Sequence, residues 1–139
     1  MVPLLEQVLE KNSGKVRLVF KNFPLRRHQY AMKAAIAALA AGKQGKFWEF
    51  HDRLFREYNK LNDQKILEIA KSLGLNMADF EKQMKNPNVL AQIQKDIRDG
   101  REAGIKGTPT VYINGRQVKD WSLNGLQMLI DKELNKLRQ

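Results

Sequence analysis

Few residues of this chain have the types and spacing that chemistry requires, and cysteine is absent altogether. Without a thiol there is no disulfide framework, no cysteine-ligated zinc or iron–sulfur cluster and no thiolate nucleophile. Serine and threonine hydroxyls do not replace it, since a hydroxyl forms no redox couple. The histidines are His28 and His51. A two-histidine metal site would need a carboxylate converging on the same point. His51, set between Phe50 and Asp52 on an aromatic stretch, reads instead as a partly buried packing residue. His28 follows Arg26-Arg27 and is expected to be exposed near a helix start. Glu68 and Asp79 show no arrangement suited to paired-carboxylate acid–base work. Arg53 with Asp52 or Glu57 reads as a surface ion pair worth well under ~1 kcal/mol. The expectation is therefore no catalytic residue, no metal and no cofactor.

Charge is the next candidate for function. The 139 residues carry 25 Lys+Arg and 15 Asp+Glu, a net charge of +10. From Lys11 to Trp48 there are nine bases (Lys11, Lys15, Arg17, Lys21, Arg26, Arg27, Lys33, Lys43, Lys46) and no acid, whereas residues 49–103 balance ten bases with ten acids. A basic stretch can meet nucleic acid, an anionic surface or an acidic protein. It can equally be a solvated face. No aromatic-interleaved recognition motif, Gly-rich phosphate loop or zinc-finger spacing accompanies it, so nucleic acid is not the expected partner. A basic interaction module acting through residues 11–46 stands as the alternative reading of function.

The elements that would position these residues follow from periodicity. Pro3 to Lys11 predicts a short helix with Leu4, Leu5, Val8 and Leu9 on one face. Lys15 to Lys21 alternates, with Val16, Leu18 and Phe20 on one side, and predicts a strand that Pro24 stops. Gln29 to Ala41 predicts an alanine-rich helix whose small side chains allow close approach of a neighbour. Lys46 to Tyr58 predicts a helix bearing Phe47, Phe50, Leu54 and Tyr58. The cluster of Phe47, Trp48, Phe50 and Phe55 reads as core, or alternatively as the lining of an apolar peptide groove. Asn62-Asp63 and Asn76 offer N-caps for two more helices, the second ending before Pro87. Asn88 to Ala103 places Leu90, Ile93 and Ile97 on one stripe. Thr110 to Ile113, Asn114-Gly115 and Arg116 to Lys119 predict a hairpin. Ser122 caps a last helix whose buried face is Leu126, Leu129, Ile130, Leu134 and Leu137. The most apolar run, Ala34 to Ala41, is far short of the about 20 residues a membrane span needs. Met1 to Glu10 has neither the basic start nor the long apolar run of a secretory leader, so none is expected.

The predicted strand at 15–21 has no local partner. It must pair with the hairpin across the helices, with another chain, or with something not encoded here. At this point the residues carry a resemblance. The run from Gly14 through Val16, Arg17, Leu18, Val19 and Phe20 to Pro24-Leu25 resembles the strand after the active-site helix of DsbA-like thioredoxin-fold disulfide oxidoreductases. Ala34-Ala35 and the run Gln44-Gly45-Lys46-Phe47-Trp48-Glu49-Phe50-His51-Asp52-Arg53-Leu54-Phe55 resemble that family's helical insertion. Gly104 to Gly115, with Gly107-Thr108-Pro109-Thr110 at its centre, resembles its cis-proline loop and terminal hairpin.

The resemblance implies an α/β, incomplete thioredoxin-like fold: one domain over 1–139, with residues 26–103 as a helical insertion between the first strand and the C-terminal hairpin. Pro109 alone would read as a trans proline opening a strand; the resemblance implies a cis bond. It also implies that Gly107, Thr108 and Pro109 form the substrate-binding loop and that an extended polypeptide is its partner. The family's Cys-x-x-Cys and the strand leading to it would lie before Met1. The chain as it stands is therefore expected to be redox-inactive. Relatives of this kind typically work outside the cytoplasm, in the periplasm or secreted. The unpartnered strand predicts either closure of the gap within one chain or a homodimer formed by strand exchange.

Overall fold

The computed structural model describes residues 2–138. Among these are seven α-helices: α1 (Val2–Lys11), α2 (Ala31–Gly42), α3 (Phe47–Arg56), α4 (Asp63–Ser72), α5 (Met77–Met84), α6 (Pro87–Glu102) and α7 (Leu123–Leu137). A 3₁₀ turn at Tyr58–Lys60 follows α3, and two short strands, β1 (Tyr112–Ile113) and β2 (Arg116–Gln117), precede α7. The chain forms two compact units, one from residues 1–20 and 105–139, the other from 21–104.

In the helical unit, α2 packs against α3, α5 and α6. Its alanines make this possible. Ala37, Ala38, Ala40 and Ala41 are buried, and side chains this small let several helices approach one axis. Phe50 from α3 and Phe80 from α5 are fully buried and stack with ring centroids 5.7 Å apart, a geometry that adds to simple area burial. Ile66, Ile69 and Ala70 complete this core from α4. Side-chain caps start α4 and α5 as their sequences predict. Asn62 Oδ1 accepts from the Lys65 N–H at 2.7 Å, and Asn76 Oδ1 from the Asp79 N–H at 3.0 Å.

Three expectations need correction here. α6 begins at Pro87 rather than Asn88. Asn86 caps it, accepting from the Asn88 N–H at 2.9 Å, and proline suits the first helical position because its missing N–H would be unpaired there anyway. The buried stripe of α6 is Val89, Ile93, Asp96 and Gly100, while Leu90 is exposed. The stripe is rotated by one residue because the face is completed by a carboxylate, which hydrophobic counting passes over. The aromatic run on α3 divides: Phe50 is buried and Phe47 packs on the core, but Trp48 and Phe55 are exposed.

The Asp96 carboxylate organises the start of this unit. Its Oδ2 accepts from both the backbone N–H of Asn22, at 3.0 Å, and the Asn22 side-chain amide, at 2.9 Å. Its Oδ1 accepts from Gln92 at 2.9 Å, with the Lys21 ammonium 3.9 Å away. Asn22 and Asp96 are both buried, so the pair satisfies polar groups that would otherwise be costly to bury.

In the other unit, α1 and α7 pack together with the hairpin. Val8, Val118, Leu126 and Ile130 form the buried centre, with Val16, Val111, Ile113 and Leu134 packed around it. Asn12, just past α1, exchanges two amide hydrogen bonds with Gln127 of α7, at 2.7 and 2.9 Å, and donates to the Val8 carbonyl at 2.7 Å. Leu137, expected on the buried face of α7, is instead 78% exposed, being the last residue of that helix and beyond its partners. The predicted strand at 15–21 does not form. Val16 and Leu18 are half-buried while Arg17 and Val19 are exposed, which keeps the alternation of a strand. Among the described residues no ladder joins the segment to another, and the sheet there consists of β1 and β2. A strand needs a hydrogen-bonded neighbour, which sequence alternation cannot supply.

Candidate functional site

The residues singled out by the sequence, Gly107, Thr108 and Pro109, lie on the loop that leads into β1. The Thr108–Pro109 peptide bond is cis. Thr108 and Pro109 are exposed, and Gly107 and Thr110 are half-buried. The Thr110 hydroxyl donates to the Gly107 carbonyl at 2.7 Å. That bond closes the loop locally and pairs a backbone acceptor that would otherwise need another partner.

The hairpin behind the loop is rigidly specified. Tyr112 lies opposite Gln117 and Ile113 opposite Arg116, and the Val118 N–H donates to the Val111 carbonyl at 2.8 Å. Asn114 and Gly115 make the two-residue turn with φ of 46° and 80°. Positive φ at both positions is what the favoured hairpin turn demands, and it explains the Asn-Gly pair. Glu133 of α7 fastens the hairpin to its helix. It accepts from the Arg116 guanidinium at 3.0 Å and from the Lys136 ammonium at 3.1 Å. The hydrogen bond from Lys136, aided by its charge and that of Arg116, holds the Glu133 carboxyl below its usual range.

Asp120 sets the start of α7. Its carboxylate accepts from the Ser122 N–H at 3.0 Å, and Ser122 in turn caps the helix by accepting from the Gly125 N–H at 2.9 Å. Hydrogen bonding from Ser122 lowers the Asp120 carboxyl. A β-carbon at position 125 would overlap the Asp120 side chain, so glycine is required by this close approach rather than by its φ. Sequence reasoning assigned Ser122 as the cap but passed over Asp120 and Glu133. The available signal was an acid two residues before a capping serine.

The remaining candidates have no part in this loop. His51 is buried on α3, with its Nδ1 3.2 Å from Asp52 Oδ1 and its ring centroid 4.7 Å from that of Phe55. That is the packing environment expected of it. Arg53 pairs with Glu57 at 3.3 Å, while Asp52 turns to His51. Of the basic stretch, Lys21 lies near Asp96 and Lys33 pairs with Asp63. Its bases are shared between the two units. Among the described residues no helix is long and apolar enough to cross a membrane.

Comparison with known proteins agrees with this architecture. The chain matches the family described as thioredoxin over residues 2–132. Its fold is similar to that of a thioredoxin-like oxidoreductase from Silicibacter pomeroyi, with a TM-score of 0.81 and 27% identity, covering 96% of this chain and 77% of that one. It is similar also to the thiol-disulfide exchange protein alpha-DsbA2 from Wolbachia pipientis, with a TM-score of 0.80 and 26% identity, covering 94% of this chain and 71% of that one. Among curated proteins it is 36% identical over 103 residues to a Na(+)/H(+) antiporter, NhaA 3, of Salinispora tropica, and 29% identical over 104 residues to the NhaA antiporter of Herminiimonas arsenicoxydans. These matches take in 73% and 75% of this chain, which spans 16% of the length of either antiporter. Matched by that family over residues 2–132 and similar in fold to these two structures, the cysteine-free chain belongs to the thioredoxin family, in its DsbA-like form.

Proposed function

We propose that this chain is a redox-inactive DsbA-like thioredoxin-fold domain that binds an extended polypeptide at the loop of Gly107, Thr108 and Pro109. In this reading residues 1–139 act as one domain, with 26–103 as its helical insertion. The observation that carries it is the pairing of a DsbA-like fold with a chain that has no cysteine. Thiol–disulfide exchange requires a thiolate to attack a disulfide sulfur, and this chain has none to offer. What it keeps is an exposed loop, braced from within by Thr110 and from behind by the Glu133 clamp. Exposed backbone beside a rigid hairpin suits recognition of extended chain, where main-chain hydrogen bonds supply affinity.

The test has two arms. In an insulin-reduction assay with dithiothreitol, the chain is expected to add nothing to the rate of the reductant alone; turnover above that background would sink the redox-inactive reading. Separately, unfolded reduced insulin B chain is titrated into the isotope-labelled domain. Shifts confined to residues around 107–110, and lost in Thr108→Trp, are expected. Shifts elsewhere, or none, would remove the loop as the binding site.

A further inference from the structure

We propose that Asn114 is a site of spontaneous deamidation, and that its conversion to aspartate or isoaspartate releases the hairpin from its clamp on α7. The sequence holds two Asn-Gly steps, Asn114-Gly115 and Asn124-Gly125. Both have the local chemistry. The backbone nitrogen that follows an asparagine can attack its side-chain carbonyl carbon, and a glycine there puts no side chain in the way. The fold separates the two.

At the hairpin turn the attack is open. Asn114 and Gly115 are both exposed. The Gly115 N–H makes no hydrogen bond among the described residues, and a β-carbon at that position would meet nothing within 4 Å. At the start of α7 these conditions are reversed. The Gly125 N–H donates to the Ser122 hydroxyl at 2.9 Å, so its nitrogen is engaged. Asp120 covers Gly125 closely enough to overlap any β-carbon there. Asn124 lies within the helix, and a helical Cα–Cβ bond tilts toward the helix N-terminus, away from the N–H that follows.

The reaction needs water and no other co-reactant. The Gly115 nitrogen gives its proton to solvent and bonds to the Asn114 side-chain carbonyl carbon. The side-chain nitrogen takes up a proton and leaves as ammonia, which closes a cyclic succinimide. Water then adds to one of the two ring carbonyls and the ring C–N bond breaks. Opening on one side gives aspartate. Opening on the other gives isoaspartate, whose main chain runs through the former side chain and is longer by one carbon.

Either product changes the contact with α7. Glu133 accepts from Arg116 and Lys136, and hydrogen bonding from Asn114 also helps to hold its carboxyl low. Its side chain is only 12% exposed, so water screens its charge poorly. Deamidation removes the amide donor and sets a second carboxylate in its place, and like charges so placed repel. Isoaspartate also lengthens a two-residue turn whose count fixes the pairing of Ile113 with Arg116 and of Tyr112 with Gln117.

The full chain is incubated in mildly alkaline buffer, with a second sample in urea, and both are digested with trypsin. Cleavage after Lys106, Arg116, Lys119 and Lys132 puts the two asparagines in separate peptides. Mass spectrometry reads the gain of about 1 Da that marks each conversion. In the folded chain Asn114 is expected to convert about tenfold or more faster than Asn124, whose turn of helix must first open. In urea the two are expected to convert alike. The second readout is hydrogen exchange at the Val118 amide, which donates to the Val111 carbonyl across the hairpin. Asn114→Asp, which keeps a residue type that tolerates positive φ, is expected to speed that exchange by about threefold or more. In a Glu133→Gln background the same substitution is expected to change it little. The proposal is overturned if Asn114 stays intact in the folded chain while the urea sample converts. A preference for Asn114 that persists in urea overturns it too, since its cause would then be sequence and not fold. Unchanged Val118 exchange in Asn114→Asp, or an equal change without the Glu133 carboxylate, overturns the release of the clamp.

Discussion

Removing the Asp96 carboxylate should expose how much of the helical unit depends on one buried charge. Asp96→Ala deletes three accepted hydrogen bonds, at 3.0 and 2.9 Å from Asn22 and 2.9 Å from Gln92. Hydrogen bonds to a charged group contribute about 1.5–3 kcal/mol each, and a buried donor left unpaired costs about 1–3 kcal/mol. Gln92 is exposed enough for water to replace its lost partner. The two Asn22 donors are buried and have no such recourse. The expected destabilisation is therefore about 3–4 kcal/mol. With a urea m-value near ~2 kcal/mol/M, the midpoint should fall by roughly 1.5–2 M. Asp96→Asn keeps an oxygen facing Asn22 and loses only charge assistance and one acceptor, so about 1–2 kcal/mol is expected. The assay is urea unfolding followed by far-ultraviolet circular dichroism, with m compared between variants. A cost below about 1 kcal/mol for Asp96→Ala would refute the reasoning, since it would mean that relief from burying a charge outweighs the bonds it makes. An Asn variant as damaging as the Ala variant would refute the division between shape and charge.

Two other perturbations follow, the first in the hairpin unit and the second from carboxylates of both units. Gly125→Ala should displace Asp120 from the start of α7 and cost about 1–2 kcal/mol in thermal or urea unfolding. Combined with Asp120→Ala the two costs should fall short of additive, and full additivity would show that the overlap is absent. The carboxyls of Asp99, Asp120 and Glu133 are held low by Lys95, Ser122 and Lys136 respectively. A depressed folded value means stability that is fully present above the unfolded carboxyl range, near ~4, and lost as pH falls through the folded values. The urea midpoint should therefore drop below about pH 4, and Glu133→Gln should make that drop shallower. An unchanged acid limb in the variant would remove Glu133 from the account.

Much of the architecture was legible where the chain speaks to its own near neighbours. The caps at Asn62, Asn76 and Ser122 were readable because the side chain reaches a backbone N–H three residues on. The Asn114-Gly115 turn was readable because few residue pairs accept two positive φ angles. The family resemblance was carried by contiguous runs of residues, and the loop at 107–109 by one of them. What escaped was set by partners far along the chain. Asp96 sits among ordinary solvated charges in composition, and only Asn22, 74 residues away, makes it structural. The Asn12–Gln127 amide pair spans 115 residues and has no local signature at all.

By itself, then, the sequence determined the helices, the caps at Asn62, Asn76 and Ser122, the hairpin turn and the absence of any thiol, because each depends on residue identity or on contacts within a turn or two. Only the tertiary structure decided that residues 15–19 alternate like a strand without joining a ladder among the described residues, and that α6 turns Asp96 rather than Leu90 inward. It alone shows that the backbone of residues 16–19 makes no hydrogen bond among the described residues. Strand pairing and buried charge are settled by which distant groups arrive to satisfy them, and local pattern carries no record of that.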